Sequence, residues 1–325
     1  HCCARSERYH ENDRVLLTYP LIFDGALTVI LTALAAGATL VIPERVQLPD
    51  GRKVLATDNL GKMLIDSNVT AVNMLPSLMS ALLKTSTCDI FEKVRHVVLA
   101  AEGLHTADWS FIDERLNPRV QVFNEYGPSE TTICATEYQI NRKHKYSGTI
   151  IPIGKPLEGC EVFVLDQGNN IIGPNEVGEI VVAGRIVGLG YISNTELTTR
   201  SFGYLQINGN KEKAYWTGDL GYIDDHGDLV WVGRLDSQAK VNGVKVRTLE
   251  IEALLSQLNG TSEVITLLSN DTDGKNHTLV TFTTLEPQVQ ADTWSDEAKR
   301  LLTSRQLYHD IRILSSMPRS VSYTH

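Results

Sequence analysis

The sequence predicts an α/β protein in three parts: a parallel-sheet subdomain over residues 1–150, a small β-barrel subdomain over 151–235, and a small α+β C-terminal domain over 236–325. Three observations carry this expectation. Between Arg14 and about Phe123, short apolar runs alternate with helix-period segments, the pattern of a parallel sheet covered by helices. After Ile150 the runs are short and separated by Gly-, Asn- and Asp-rich turns. Near Asp236 the pattern changes again, to one helix followed by two strands.

In chain order, Val15–Leu17 reads as a strand, Gly25–Ala36 as a helix and Thr39–Ile42 as a strand. Leu60–Ser67 reads as a helix, Ala71–Leu75 as a strand, Ser77–Lys84 as a helix, and His96–Ala100 and Val120–Phe123 as buried strands. Cys160–Leu165, Gly178–Ala183 and Asp228–Gly233 are the strands of the second part, with a hairpin turn at Asp224-Asp225-His226-Gly227 between Leu220–Ile223 and Leu229–Val232. A helix over Thr248–Leu258 and strands over Glu263–Leu268 and Thr278–Thr283 complete the chain, with a hinge near Asp236.

Bulk properties bound the function. The 325 residues suffice for two or three domains. A formal net charge of −9, with no long basic run, argues against nucleic-acid binding. The longest apolar stretch, Leu27–Ile42, is broken by Thr28, Thr32, Gly37 and Thr39, so no membrane span is expected. Five cysteines (Cys2, Cys3, Cys88, Cys134, Cys160) fit reduced thiols inside a cell, and no signal-peptide pattern is present, so a cytoplasmic location is expected. Cys2-Cys3 with His1 and His10 could instead suggest a metal, but adjacent cysteines reach one ion poorly. There is no initiator Met, and the chain reads as an excerpt.

The chemistry concentrates in Asn124-Glu125-Tyr126-Gly127-Pro128-Ser129-Glu130-Thr131-Thr132, which follows a buried strand and turns at Gly127-Pro128. Ligands of open α/β sheets bind beyond strand carboxyl ends. This bend offers an aromatic face, hydroxyls for phosphate and a carboxylate for Mg²⁺; taken alone it could equally be an ordinary polar turn. Three more clusters follow in order: Gly178-Glu179-Ile180-Val181-Val182-Ala183-Gly184 with Gly188-Leu189-Gly190-Tyr191 and Phe202; Tyr215-Trp216-Thr217-Gly218-Asp219-Leu220-Gly221-Tyr222; and Val232-Gly233-Arg234-Leu235-Asp236-Ser237-Gln238-Ala239-Lys240-Val241-Asn242-Gly243.

This ordered set resembles the adenylate-forming superfamily, most nearly the amino-acid-activating adenylation domains of non-ribosomal peptide synthetases, from about Asp13 to Pro318. The resemblance makes residues 1–150 a partial adenylation core and 236–325 a mobile C-terminal domain, both truncated. It implies activation of an amino acid with ATP and Mg²⁺ as an aminoacyl-adenylate. The acyl group would then load onto the phosphopantetheine thiol of a peptidyl carrier protein beside neighbouring synthetase domains. It implies that Tyr126 stacks on adenine and Asn124 reads its edge. Ser129 and Thr131 touch phosphate beside Gly127, and Glu130 binds Mg²⁺. Asp219 takes the ribose hydroxyls, and Arg234 contacts ribose or phosphate. Asp24 would bind the substrate ammonium, since a buried cation needs a paired carboxylate; as a helix N-cap it would do something simpler. Gly25, Thr28, Asn73, Leu99, Ala101, Glu125, Ile133 and Cys134 align with the rest of the pocket, and Glu125 could pair with a polar or cationic side chain or point to solvent. Asp236 is the matching hinge residue, and the stretch from Lys240 to Gly243 would face the pantetheine arm.

The pattern also breaks. No Gly/Ser/Thr-rich phosphate loop precedes Asp24, and Ile313-Leu314-Ser315-Ser316-Met317-Pro318-Arg319 is not followed by the family's final Gly-Lys pair. Leu189 stands where Arg is usual, Arg247 where Glu is usual, and Lys245 replaces a common Arg. Losing cationic and anion-cradling groups removes transition-state charge stabilisation, so the chain alone is expected to be inactive or nearly so, with exposed apolar faces. A coenzyme A ligase of the same superfamily and a non-catalytic nucleotide- or partner-binding protein are the alternative readings.

Overall fold

A computed structural model describes residues 8–47, 53–86, 88–146, 148–207, 209–235, 238–241, 244–270, 277–304 and 309–317. The chain divides into two compact units, His1–Trp231 and Val232–His325.

The first unit begins with β1 (Arg14–Leu17), α1 (Asp24–Ala35), β2 (Thr39–Val41), a β3–β4 pair (Arg45–Gln47, Lys53–Leu55), α2 (Thr57–Asp66), β5 (Ala71–Met74) and α3 (Pro76–Thr85). A 3-10 turn at Cys88–Phe91, β6 (His96–Ala100), α4 (Thr106–Asp113), β7 (Gln121–Tyr126), a second 3-10 turn at Ser129–Thr131, β8 (Thr136–Gln139) and β9 (Lys155–Pro156) follow. The sheet order is β2-β1-β5-β6-β7-β8-β9. Pairing is parallel from β2 through β7, and antiparallel for β8 and β9.

The parallel strands are apolar on both faces because both are covered. Leu16, Val72, Met74, Val97, Leu99 and Val122 face a core with Leu60, Leu64, Met79 and Trp109. Val15, Leu17 and Ala71 face the opposite way, against Ala26, Val29 and Ala33 of α1. Pro76 starts α3, where a fixed φ helps and a missing N–H costs nothing. The outer side of α1 leaves Leu27, Leu31 and Leu34 exposed at 48%, 46% and 64%, one turn apart and so forming an apolar stripe.

A second, five-stranded sheet holds β10 (Cys160–Leu165), β11 (Gly178–Gly184), β12 (Phe202–Ile207), β13 (Asn210–Ile223) and β14 (Leu229–Arg234), with α5 (Thr195–Ser201) before β12. β13 pairs antiparallel with both β11 and β12 and also with β14. The hairpin turn forms as the sequence predicts. Gly227 N–H donates to the Asp224 carbonyl (2.9 Å), and Asp224 Oδ1 accepts from the His226 and Asp228 amides (2.8 and 2.9 Å).

The second unit contains a β15–β16 hairpin (Gln238–Val241, Val244–Arg247), α6 (Thr248–Ser256), β17 (Thr261–Asn270), β18 (His277–Leu285), α7 (Ala291–Ser304) and β19 (Asp310–Ile313). β17 and β18 pair antiparallel and β19 joins β18 in parallel. Its core is Ile251, Leu254, Leu255, Leu279, Trp294, Ala298 and Leu302. Helix α7, which the sequence patterning does not predict, contributes three of those seven. Beside this core Glu252 accepts the Thr266 N–H (2.6 Å), and burial pushes its carboxyl up to about 7.

Cys134 and Cys160 are buried, while Cys2 and Cys3 lie outside the described residues. Among the described residues no helix is long and apolar enough to cross a membrane, and no cluster of three or more metal-ligating side chains occurs.

Candidate active site

Strand β7 delivers Tyr126 to the edge of the second sheet, where its hydroxyl donates to Asp219 Oδ2 at 2.6 Å. Asp219 is 8% exposed. Two features aim it. The β11–β13 register shifts between Glu179 and Val181, and such a bulge re-aims side chains. Gly218, at φ 71°, supplies a conformation that other residues rarely adopt. The bulge is pinned by Thr217 Oγ1, which donates to the Ile180 carbonyl (2.7 Å) and accepts the Asp219 N–H (2.9 Å), and by Glu179 Oε1, which accepts the Gly218 N–H (2.9 Å). Burial, then the Asp219 charge, holds the Tyr126 phenol far above its usual range, so it stays a donor.

After Tyr126 the chain folds back on itself. Ala135 N–H donates to the Tyr126 carbonyl (2.8 Å). A Cβ on Gly127 would lie 2.5 Å from Cys134 Cα and 2.6 Å from the Ile133 carbonyl oxygen, so only glycine fits. Thr132 and Ile133 take left-handed φ values of 59° and 78° to complete the return. Thr131 is fully buried and gives its hydroxyl proton to the Pro128 carbonyl (2.9 Å), while Ser129 is exposed. Glu130 Oε1 accepts the Tyr191 hydroxyl (2.6 Å), and the Glu130 carbonyl accepts the Gly188 N–H (2.7 Å). Tyr191, Phe202 and Tyr215 pack ring to ring, with centroids 5.3 and 4.9 Å apart. The Gly188–Tyr191 cluster therefore holds the acidic end of the bend.

A cavity opens on the α1 side of the first sheet. Its sheet wall is Val15, Asn73, His96, Val98 and Glu125, and its helical wall is Thr28, Val29 and Thr32, with Arg8 and Tyr9 beside them. The Oγ1 atoms of Thr28 and Thr32 and His96 Nδ1 are buried there without hydrogen-bond partners among the described residues. Burial and the neighbouring Arg8 and Arg95 push His96 down to about 4, so its ring is neutral. Tyr19 donates to Asn73 Oδ1 (2.9 Å), and its ring lies 3.4 Å from where a Cβ on Gly25 would stand, so the glycine makes room for it. Asp24 is the first residue of α1, not its cap, since Phe23 occupies the cap position, and Asp24 Oδ2 is buried without a partner among the described residues.

The family model described as "AMP-binding enzyme" matches residues 1–192. The chain belongs to the AMP-binding enzyme family. It is 32% identical over 270 residues to novobiocin biosynthesis protein H of Streptomyces niveus, covering 82% of this chain and 41% of that protein. It is 30% identical over 260 residues to tyrocidine synthase 3 of Brevibacillus parabrevis, covering 80% of this chain and 4% of that protein. The chain thus spans less than half the length of either relative. Among solved structures, Klebsiella oxytoca NpsA in complex with 3-hydroxyanthranilyl-AMSN aligns with a TM-score of 0.81 at 22% identity, over 98% of this chain and 64% of that one. PA1221, a protein with adenylation and PCP domains bound to a vinylsulfonamide inhibitor, aligns with a TM-score of 0.64 at 25% identity, over 96% and 52%.

As a member of this family, the chain places its sequence-predicted residues unevenly. Tyr126 and Asp219, 93 positions apart, meet directly. Thr28, Asn73 and Glu125 line one cavity. Asn124, 1% exposed, points to the opposite face of β7, and its amide protons go to the Ile151 and Pro152 carbonyls (3.3 and 2.9 Å). Leu99 needs correction: it is fully buried in the core on the far side of the sheet, because alternate residues of β6 face opposite ways. Val98 takes the cavity position. Ala101 lies just past β6 with φ 69° and is exposed, and Ile133 and Cys134 lie in the return segment. Arg234 ends β14 and Lys240 lies in β15, both in the second unit, while Asp236 is outside the described residues.

Tyr19 and His96 are the residues that sequence reasoning missed. His96 did leave a signal, as the one polar residue of an otherwise apolar strand, and Tyr19 follows the β1 run five residues before Asp24.

Proposed function

We propose that this chain is part of an AMP-forming adenylation domain. It would join an amino acid's carboxylate to the α-phosphorus of ATP with release of pyrophosphate, and then pass the acyl group to a carrier-protein phosphopantetheine thiol with release of AMP. The observation that carries this reading is the Tyr126–Asp219 hydrogen bond, which unites two distant motifs at one strand end. The similarity to tyrocidine synthase 3 supports the amino-acid class, and the PCP domain of PA1221 supports a carrier-protein acceptor.

In this reading the Tyr126 ring stacks on adenine while its hydroxyl holds Asp219, which accepts from the ribose. Pre-placing that carboxylate removes the cost of orienting it when nucleotide arrives. Glu130, half-buried and fixed by Tyr191, fits Mg²⁺, which commonly takes one or two carboxylates and shares its other ligands with phosphate and water. Bound there, the ion would neutralise developing phosphate charge. Asp24, with an unpartnered buried oxygen at a helix start, would receive the substrate ammonium. AMP binding measured by calorimetry tests this reading: no binding to the wild-type chain, or equal binding to Asp219→Asn, would overturn it.

A further inference from the structure

The Gly188–Tyr191 motif contributes no side chain to the proposed adenine, ribose or amino-acid contacts. Its one polar reach is the Tyr191 hydroxyl, which donates to Glu130 Oε1 at 2.6 Å. The Tyr215 hydroxyl lies 3.3 Å from the Tyr191 oxygen. Tyr191 has one proton and spends it on the carboxylate, so Tyr215 donates the second bond. Burial, then the bond to Glu130, raises the Tyr191 phenol. Burial, then the bond to Tyr191, raises the Tyr215 phenol further. Both therefore stay protonated donors.

The scaffold behind Tyr191 has no other evident task. Helix α5 contributes no buried side chain, so core packing does not account for it. Its bonds run to Tyr191 instead. Thr198 Oγ1 accepts the Tyr191 N–H (2.8 Å) and donates to the Asn194 carbonyl (2.9 Å). Asn194 Oδ1 in turn caps α5 by accepting the Leu197 N–H (3.0 Å). Gly190, at φ 133°, makes this approach possible, because a Cβ there would strike Thr198 Cγ2. On the other side Phe202 packs edge-on against the Tyr191 ring and stands opposite Tyr215 across the β12–β13 pair. The ring is thus pinned by a helix on one side and a sheet on the other.

Charge points to what the arrangement serves. Glu130 is half-buried, and no cation among the described residues forms an ion pair with it. The two phenols orient the carboxylate without neutralising it. A partly buried carboxylate left so calls for a cation from outside. Glutamate is also among the costlier side chains to immobilise, so holding it in advance removes a cost from cation binding.

Resting on the reading that Glu130 binds Mg²⁺, we propose that Tyr191 is a positioning residue for that ion, set in place by Thr198 of α5 and by Tyr215. Hydrogen-bonding partners of metal ligands typically carry about 10- to 100-fold in metal affinity. The effect of Tyr191 should therefore appear in the metal dependence of nucleotide binding and not in metal-free binding.

The test titrates the full chain with AMP in EDTA, and with α,β-methylene-ATP in EDTA and in excess Mg²⁺, by calorimetry. The expected result is that Mg²⁺ tightens analogue binding by about tenfold or more in the wild-type chain, and that Glu130→Gln removes this gain. Tyr191→Phe, which keeps the ring, should cut the gain about tenfold while AMP affinity in EDTA stays within about twofold. A misplaced fold would move both readings together. Thr198→Val and Tyr215→Phe should each cut the gain by a smaller factor, about two- to fivefold, since each acts through one more bond. Thr198 sits on an exposed helix, so it decides the matter if Tyr191→Phe misfolds. An undiminished Mg²⁺ gain in Tyr191→Phe or in Thr198→Val overturns the inference and leaves the role of Glu130 intact. A wild-type chain that binds AMP but gains nothing from Mg²⁺ overturns both the inference and the metal role of Glu130. No binding of AMP overturns the adenylation reading itself.

Discussion

Replacing Asp219 by Asn probes the junction on which the nucleotide site depends. The Tyr126 hydroxyl sits 2.6 Å from Asp219 Oδ2, a short charge-assisted bond at an 8%-exposed residue. Such bonds are worth about 1.5–3 kcal/mol, against about 0.5–1.5 for a neutral pair. Removing the charge while keeping the shape should therefore cost the first unit about 1 kcal/mol, or about 2–4 °C in Tm at its size. Nucleotide affinity should fall further. A carboxylate accepting from the ribose would become an amide that accepts on one atom only, weakening AMP binding by about 10- to 100-fold. Tyr126→Phe provides the contrast. It keeps the ring and the charge but removes one partner from a buried carboxylate, so stability should drop by about 1–3 kcal/mol while AMP affinity changes less than in Asp219→Asn. Calorimetric titration with AMP and thermal denaturation read both effects. An Asp219→Asn protein that binds AMP within twofold of wild type would refute the assignment of Asp219 to the sugar, and so would a Tyr126→Phe protein with the greater affinity loss.

Further outcomes follow from the same geometry. Gly127→Ala should lower stability by about 1–3 kcal/mol and weaken AMP binding together, because its Cβ would strike backbone atoms at 2.5–2.7 Å and push the bend off the Cys134 segment; an unchanged melting curve would contradict this close approach. The second unit should lose stability as pH rises. The folded carboxyl of Glu252 titrates near 7 against 4.5 for the free group, so its contribution is fully present below about pH 4.5 and disappears as pH climbs through about 7. Because Glu252 is only half-buried the loss should amount to about 1–3 kcal/mol, and Glu252→Gln should flatten the curve in urea titrations run at several pH values. Changing Leu27, Leu31 and Leu34 to Glu should raise solubility and suppress self-association in sedimentation experiments with less than about 1 kcal/mol lost from the fold, since all three lie outside the core. Unaltered association would show that the stripe is not the contact.

Much was fixed locally and could be read from the chain. The alternation of apolar runs with helical periods yields the parallel order because strands covered on both faces must be apolar throughout, and the Asp224–Gly227 turn states its own geometry through glycine and two aspartates. The chemical inventory of the Tyr126–Glu130 bend was equally legible, since residue types declare what they can donate or accept. Tertiary structure decided the rest. A strand's period of two makes neighbouring residues of His96–Ala100 face opposite ways, so Leu99, which the resemblance aligns with the pocket, lies in the opposite core while Val98 lines the cavity. Helix α7 became legible only with its buried partners, Trp294, Ala298 and Leu302. The meeting of Tyr126 with Asp219, and of Thr28, Thr32 and His96 around one space, joins residues tens of positions apart. No local propensity encodes such contacts; they arise when the sheet register and a bulge between β11 and β13 bring separate strands to one place.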